Sequence, residues 1–174
     1  MFYFIRHGKT DYSEKNTKIY KGFGVNLSKL SELGISQVKK TAKDKRLKKA
    51  DIIISSPYTR ALQTAAILSR ELDIDIMIET DLHEWLANKS YIFESDEAEE
   101  KAYLEYKSEK GRYPDGEERL WESADCIKKR VLKVLNKYHD YKRVIVVGHG
   151  TMIKATTGVE QVKCAEIIEF NLID

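Results

Sequence analysis

Three short apolar runs in this chain each stop at a polar or glycine turn, and that recurrence limits what the chain can fold into. Residues 1–5 (MFYFI) end at Arg6-His7-Gly8-Lys9-Thr10, residues 51–54 (DIII) at Ser55-Ser56-Pro57, and residues 143–147 (RVIVV) at Gly148-His149-Gly150-Thr151. Uninterrupted apolar strands are the mark of a sheet buried on both faces, which in practice means a mainly parallel one. The second and third turns run straight into helical sequence, Tyr58 to Ala66 and Thr151 to Ala155. The expected fold is therefore α/β, a three-layer α/β/α sandwich with a mainly parallel central sheet. Such a sheet gathers the carboxyl ends of its strands on one side, and ligands bind at that edge.

The rest of the chain fits this frame. At 174 residues, it has the length of one domain with a sizeable core. Residues 11–29 lack periodicity and read as a loop beside the first turn, where Asn16, Lys18, Lys21 and Asn26 are candidate ligand donors. Ser31 is placed to cap a helix whose apolar stripe is Leu33, Gln37, Val38 and Ala42. Residues 74–78 form a further apolar run, and residues 167–172 a last strand at the sheet edge. Residues 95–110 read as a charged helix. A long amphipathic helix is expected over 120–138, with Leu120, Ala124, Ile127, Val131, Val134, Leu135 and Tyr138 as its stripe and Trp121 packed at its start. Residues 84–120 are expected to form a lid or insertion on the single domain 1–174.

Composition narrows the function. Thirty basic residues are interleaved with 28 acidic ones, for a net charge of +2, which gives no field for nucleic acid. No apolar run approaches the roughly 18 residues of a membrane span. Cys126 and Cys164 are isolated, and no secretory signal is evident, so free thiols and a cytoplasmic location are expected.

The chemistry concentrates at the strand ends. Arg6 suits a phosphate, because its planar fork donates parallel hydrogen bonds. His7 is largely neutral and nucleophilic near pH 7. Arg60 stands in the first turn of a helix, where an acid is usually preferred, and makes sense with an anion between it and the helix start. His149 lies between two glycines at a buried strand end. Two arginines and two histidines converging on one point form an anion pocket that phosphate fits best. One histidine can act as nucleophile, and the other, protonated, can stabilise phosphoryl oxygens. Glu84, beside Trp85, is the leading proton donor to the departing oxygen. The four histidines form no H-E-x-x-H or H-x-H pair, and no nucleotide-binding glycine loop is present.

These residues resemble the histidine phosphatase superfamily, in its phosphoglycerate-mutase-like branch. The resemblance rests on Arg6-His7-Gly8-x-Thr10, Gly22, Leu30-Ser31-x-x-Gly34-x-x-Gln37, Ser55-Ser56-Pro57-x-x-Arg60-Ala61-x-Gln63-Thr64-Ala65, Leu82-x-Glu84 and Gly148-His149-Gly150. It implies that His7 becomes phosphorylated, that Arg6, Arg60 and His149 hold the phosphoryl group together with Ser13 and Gly150, and that Glu84 donates the proton. It implies no metal or organic cofactor. Several positions depart from the pattern. Lys9 replaces a frequent glutamate, and Ser13 a frequent asparagine. Trp121-Glu122-Ser123 stands for Gly-Glu-Ser, with Gly116-Glu117 as a competing match, and Trp85-Leu86-Ala87 replaces a glycine-rich continuation. The expected activity is a phosphomonoesterase acting on a phosphorylated small molecule. A phosphoglycerate mutase and a non-catalytic phospho-ligand binder are the alternatives, and the sequence does not assign an oligomeric state.

Overall fold

In the computed structural model, residues 1–15, 17 and 22–172 are described. Five strands, β1 (Phe2–Arg6), β2 (Ile52–Ser55), β3 (Ile76–Ile78), β4 (Val144–Gly148) and β5 (Ile167–Phe170), form one sheet in the order β3-β2-β4-β1-β5. The first four are parallel to their neighbours, and β5 runs antiparallel to β1 at the edge.

Strand alternation sorts the core into two halves. Tyr3, Ile5, Ile53, Ile145 and Val147 point to one face, and Phe2, Phe4, Ile52, Ile54, Val144 and Val146 to the other. Helices α1 (Glu32–Thr41) and α2 (Thr59–Leu72) cover the first face through Val38, Ala61, Ala65 and Leu68. Helices α4 (Ala124–Asn136) and α5 (Gly150–Thr157) cover the second through Ile127, Val131, Leu135, Met152 and Ile153. The expected three layers and mainly parallel sheet are present. Helix α3 (Asp96–Ser108) has no buried residue and stands apart from the layers, above the strand ends.

Two apolar stripes differ from the sequence reading. Val38 and Ala42 of the expected α1 stripe are buried, but Leu33 is exposed and Gly34 is buried in its place. The cause is a backbone contact: a Cβ on Gly34 would lie 2.1 Å from the Lys9 carbonyl oxygen, so α1 is turned with its glycine against the first strand's turn. Leu120 is also exposed, because Ser123 caps α4 by accepting from the Cys126 N–H, and the helix starts after it. The loop expected over 11–29 contains a 3-10 turn, Gly22–Leu27.

The topology marks one crevice. β1 and β4 are adjacent, but the chain leaving β1 crosses to β2 on one side, and the chain leaving β4 crosses to β5 on the other. Adjacent strands whose connections diverge in this way leave a gap outside their carboxyl ends. Register pairs Arg6 with Gly148, so His7 and His149 follow their strands side by side at that gap.

Candidate active site

The first turn is held rigidly by backbone and side-chain contacts. Gly8 N–H donates to Thr64 Oγ1 at 3.1 Å, and a Cβ on Gly8 would lie 2.6 Å from the Gly34 carbonyl oxygen. Lys9 is clasped from both ends, its N–H donating to Gln37 Oε1 and its carbonyl accepting from Ser31 Oγ, each at 3.0 Å. Gln63 Oε1 accepts from Leu30 N–H at 2.7 Å, which anchors the adjoining strand-like contact between Thr10 and Leu30. These polar residues of α1 and α2 therefore fix the turn that carries His7.

His7 is buried, and its tautomer follows from its partners. Nδ1 lies 2.8 Å from the Gly8 carbonyl oxygen, which only accepts, so Nδ1 carries the proton. Nε2 is left with its lone pair and accepts from Arg60 Nε at 3.3 Å. Burial is the main cause that lowers the His7 pKa to about 3, with Arg60 and then Arg6 adding to it against the opposing Gly8 hydrogen bond. His7 is thus a neutral imidazole with its lone pair facing a guanidinium.

His149 is fully buried 5.3 Å from His7 between ring centroids, at the start of α5. Its Nε2 lies 2.7 Å from Ser56 Oγ, at the end of β2, and its Nδ1 has no partner among the described residues. Burial first, then Arg60, hold its pKa well below the ordinary histidine value. The protonated state expected for the second histidine is therefore not its state here: it is neutral at pH 7. Ser56 is a contributor to which the sequence reading gave no role beyond the strand break and the family motif, although its place at the second strand end was visible.

Arg6 donates from one terminal nitrogen to the Val162 carbonyl at 2.8 Å, and its buried Nε is unpartnered among the described residues. Gly150 gives it room: a Cβ there would lie 3.3 Å from that Nε. Glu84 reaches the same place from the segment after β3. Its Oε1 accepts from the N–H groups of Trp85 (2.9 Å) and Met152 (3.0 Å), and its Oε2 from Thr151 N–H (3.2 Å). The carboxylate therefore sits across the first turn of α5, on the side of His149.

A cleft of about 860 Å³ is lined by Arg6, Glu84, Trp85, Gly150 and Lys154, and by Asp96, Glu99, Glu100 and Tyr103 of α3. A smaller chamber of about 140 Å³ on the Arg60 side shares Glu84, Trp85 and Glu99 with it and includes Asn26. Burial and neighbouring Asp96 raise the Glu99 pKa. The expected convergence of Arg6, His7, Arg60, Glu84, His149 and Gly150 is thus seen in one region. Ser13 is exposed, donates its N–H to Asp11 Oδ1, and does not line the cleft. The candidate donors Asn16, Lys18 and Lys21 lie outside the described residues. Among the described residues no three His, Cys, Asp or Glu side chains converge as a metal site requires, and no helix is long and apolar enough to cross a membrane.

A strand-end pair of histidines between two arginines is an arrangement that bears directly on ancestry. Residues 2–170 match the family model of the histidine phosphatase superfamily (branch 1), and the chain belongs to that family. Among relatives, it is 30% identical over 159 residues, 88% of this chain and 74% of the other, to a Hydrogenobacter thermophilus protein named "Putative phosphoserine phosphatase 2". It is 28% identical over 160 residues to the uncharacterized phosphatase PhoE of Bacillus subtilis, covering 87% of this chain and 72% of PhoE. The fold matches that of mycobacterial glucosyl-3-phosphoglycerate phosphatase Rv2419c, solved with VO3, at a TM-score of 0.67 and 21% identity over 95% of this chain and 88% of that one. It also matches TTHB049 from Thermus thermophilus at a TM-score of 0.66 and 17% identity, covering 95% and 90% of the two chains.

Proposed function

We propose that this phosphatase hydrolyses a small phosphorylated metabolite through a phosphohistidine on His7, without a metal. One observation carries the reading: His7 is a neutral imidazole whose Nδ1–H is fixed on Gly8 and whose Nε2 lone pair faces Arg60. In the first step Nε2 attacks phosphorus, and the ester P–O bond breaks with its electron pair left on the departing oxygen. Glu84, protonated, gives that oxygen its proton. Oε1 already accepts two N–H groups, whereas Oε2 accepts only that of Thr151, so the proton can sit on the second lone pair of Oε2. Water then attacks phosphohistidine, Glu84 takes a proton from it, and the N–P bond breaks to restore His7.

The arginines and His149 serve the phosphoryl group. Arg6 Nε and His149 Nδ1, both buried without a partner among the described residues, are donors suited to its oxygens. Arg60 moves its N–H from His7 to a phosphoryl oxygen as the lone pair engages phosphorus. His149 is kept neutral by burial first and by Arg60 next; a dianion between the arginines opposes the second of these and so favours protonation of His149 on binding. Gly150 admits Arg6 to the site by lacking a Cβ, and Ser13 has only a peripheral part.

The test is phosphate release, in EDTA, from 4-nitrophenyl phosphate and from a panel of metabolite phosphates. Phosphoserine heads the panel, because of the name of the Hydrogenobacter relative and because Asp96, Glu99 and Glu100 would face an ammonium group. Turnover by wild type that is lost in His7→Ala, with 32P trapped on the wild type in an acid-labile, base-stable form, supports the reading. Turnover that survives His7→Ala, or that disappears with EDTA, refutes it.

A further inference from the structure

The carboxylate of Glu84 is borne on a stretch of chain with little regular structure. The 3-10 turn Thr80–Leu82 precedes it, and no helix or strand follows until α3 begins at Asp96. Backbone carbonyls in such a stretch need partners from elsewhere. One side chain supplies them. Arg130, on α4, donates to the carbonyls of Asp81, His83 (3.0 Å) and Glu84 (3.4 Å). Its remaining N–H groups form a two-pronged pair with Glu122, Nε to Oε1 at 2.6 Å and a terminal nitrogen to Oε2 at 3.0 Å. All five donors of the guanidinium are thereby engaged. Both partners are largely buried, with side chains 13% and 7% exposed.

Glu122 is tied back to the same stretch. Its N–H donates to the Leu86 carbonyl at 2.9 Å, and its own carbonyl accepts from Trp85 Nε1 at 2.8 Å. Residues on both sides of Glu84 are therefore bound to one buried ion pair. His83 adds to this, its Nδ1 lying 2.7 Å from the Glu84 carbonyl oxygen, with burial and then Arg130 lowering the pKa of the ring. This arrangement also separates the two sequence matches: Glu122 of Trp121-Glu122-Ser123 is the residue paired with Arg130, while the exposed Glu117 meets Arg119.

We propose that Arg130, seated by Glu122, is a positioning residue that aims the Glu84 carboxyl at the departing oxygen. The inference rests on Glu84 being the proton donor, as argued above. Arg130 touches neither substrate nor phosphoryl group. It acts by fixing the carbonyl directions of Asp81, His83 and Glu84 together, something a lysine cannot do, because its donors radiate from a single nitrogen.

The experiment compares kcat/KM for an ester with a poor leaving group, glycerol 2-phosphate, and one with a good leaving group, 4-nitrophenyl phosphate. The nitrophenolate leaves without a proton, so loss or misaiming of the donor harms only the first. A reference variant, Glu84→Gln, should lose on the order of 10²-fold or more on glycerol 2-phosphate and far less on the aryl ester. Arg130→Lys, which keeps the charge, should show the same bias, with roughly a tenfold or greater loss on the alkyl ester, since a displacement of about 1 Å is enough to cost on that scale. Added to Glu84→Gln, it should have little further effect on the alkyl-to-aryl ratio.

An equal loss on both esters, or a full additional loss in the double variant, makes Arg130 a structural residue and overturns the proposal. An absence of leaving-group bias in Glu84→Gln instead refutes the donor assignment, and this inference with it. Glu122→Gln provides an independent route should Arg130→Lys not fold: it leaves Arg130 in place with one fork of its seat weakened. The same bias at smaller size supports the proposal, and an unbiased loss overturns it.

Discussion

Replacing His7 by glutamine should make the folded protein less sensitive to acid. The native imidazole has its pKa lowered from 6.5 to about 3, chiefly by burial and then by Arg60. In the unfolded chain it has neither constraint. Between those two values the unfolded state binds a proton that the native state does not, so native stability falls as pH falls through that window. From pH 7 to pH 4.5 the His7 contribution amounts to roughly 2.5 kcal/mol, for an unfolded pKa of about 6.5. Glutamine keeps a polar side chain of similar size and does not titrate. The assay is urea unfolding of wild type and His7→Gln at both pH values, with equal m-values confirming a common transition. His149 and the carboxylates titrate in both proteins and cancel in the comparison. Wild type should lose about 2.5 kcal/mol more than the variant on acidification, on the order-of-magnitude scale that such shifts allow. Equal losses would mean that His7 titrates in the native protein much as it does unfolded, and would remove the basis for a neutral nucleophile held by its surroundings.

Three other outcomes follow from single contacts. Ser56→Ala removes the only partner of the fully buried His149 ring among the described residues, and should cost about 1–3 kcal/mol in chemical unfolding, with weaker binding of inorganic phosphate by calorimetry. Gly34→Ala places a Cβ 2.1 Å from the Lys9 carbonyl oxygen. It should destabilise by roughly 1–3 kcal/mol and lower kcat/KM, because the backbone that must yield carries His7. Ser95→Ala deletes the α3 cap, whose Oγ accepts from Ala98 N–H at 3.1 Å. A loss of about 1 kcal/mol of helix stability should appear as faster amide hydrogen exchange in the first turn of α3, with the sheet unchanged.

The parts of the fold that sequence reading recovers are those where one physical requirement acts alone. β1, β2 and β4 are buried on both faces, so their apolar runs are unbroken and their ends abrupt. Helix α4 presents one face to the core, and Ile127, Val131, Val134 and Leu135 mark it without ambiguity. Failures occur where two requirements compete. Leu33 fits a helical stripe, but close approach between Gly34 and Lys9 rotates α1, and leucine is left outside. Leu120 fits the α4 stripe by spacing, but a serine cap three residues later ends the pattern. Arg130 lies on an amphipathic helix, where a basic residue reads as part of a solvated face. Only the fold reveals that it is folded inward onto carbonyls from a segment more than 40 residues away. His149 is legible as a candidate site residue from its two glycines, but its charge is not, because charge depends on burial from every side.

That last point concerns how one set of residues can meet two opposed demands. A phosphate site needs positive charge, and a histidine nucleophile needs to be neutral. In water the second condition fails for about half of the molecules at pH 6.5. Under the proposed chemistry the same guanidinium serves both demands. Arg60 is among the causes that lower the pKa of His7 and of His149, so the charge that attracts the phosphoryl group also drives protons off the rings beside it. The two effects separate in time under the proposed chemistry. Before substrate arrives, burial and then repulsion from the arginines keep the Nε2 lone pair available. Once a dianion lies between them, that repulsion is largely offset, and His149 can take a proton without His7 losing its nucleophilic form, because the His7 Nδ1–H is already engaged by Gly8. A metal ion placed in this site would supply the attraction but would compete for the same lone pair, whereas an arginine donates to it and can then let it go.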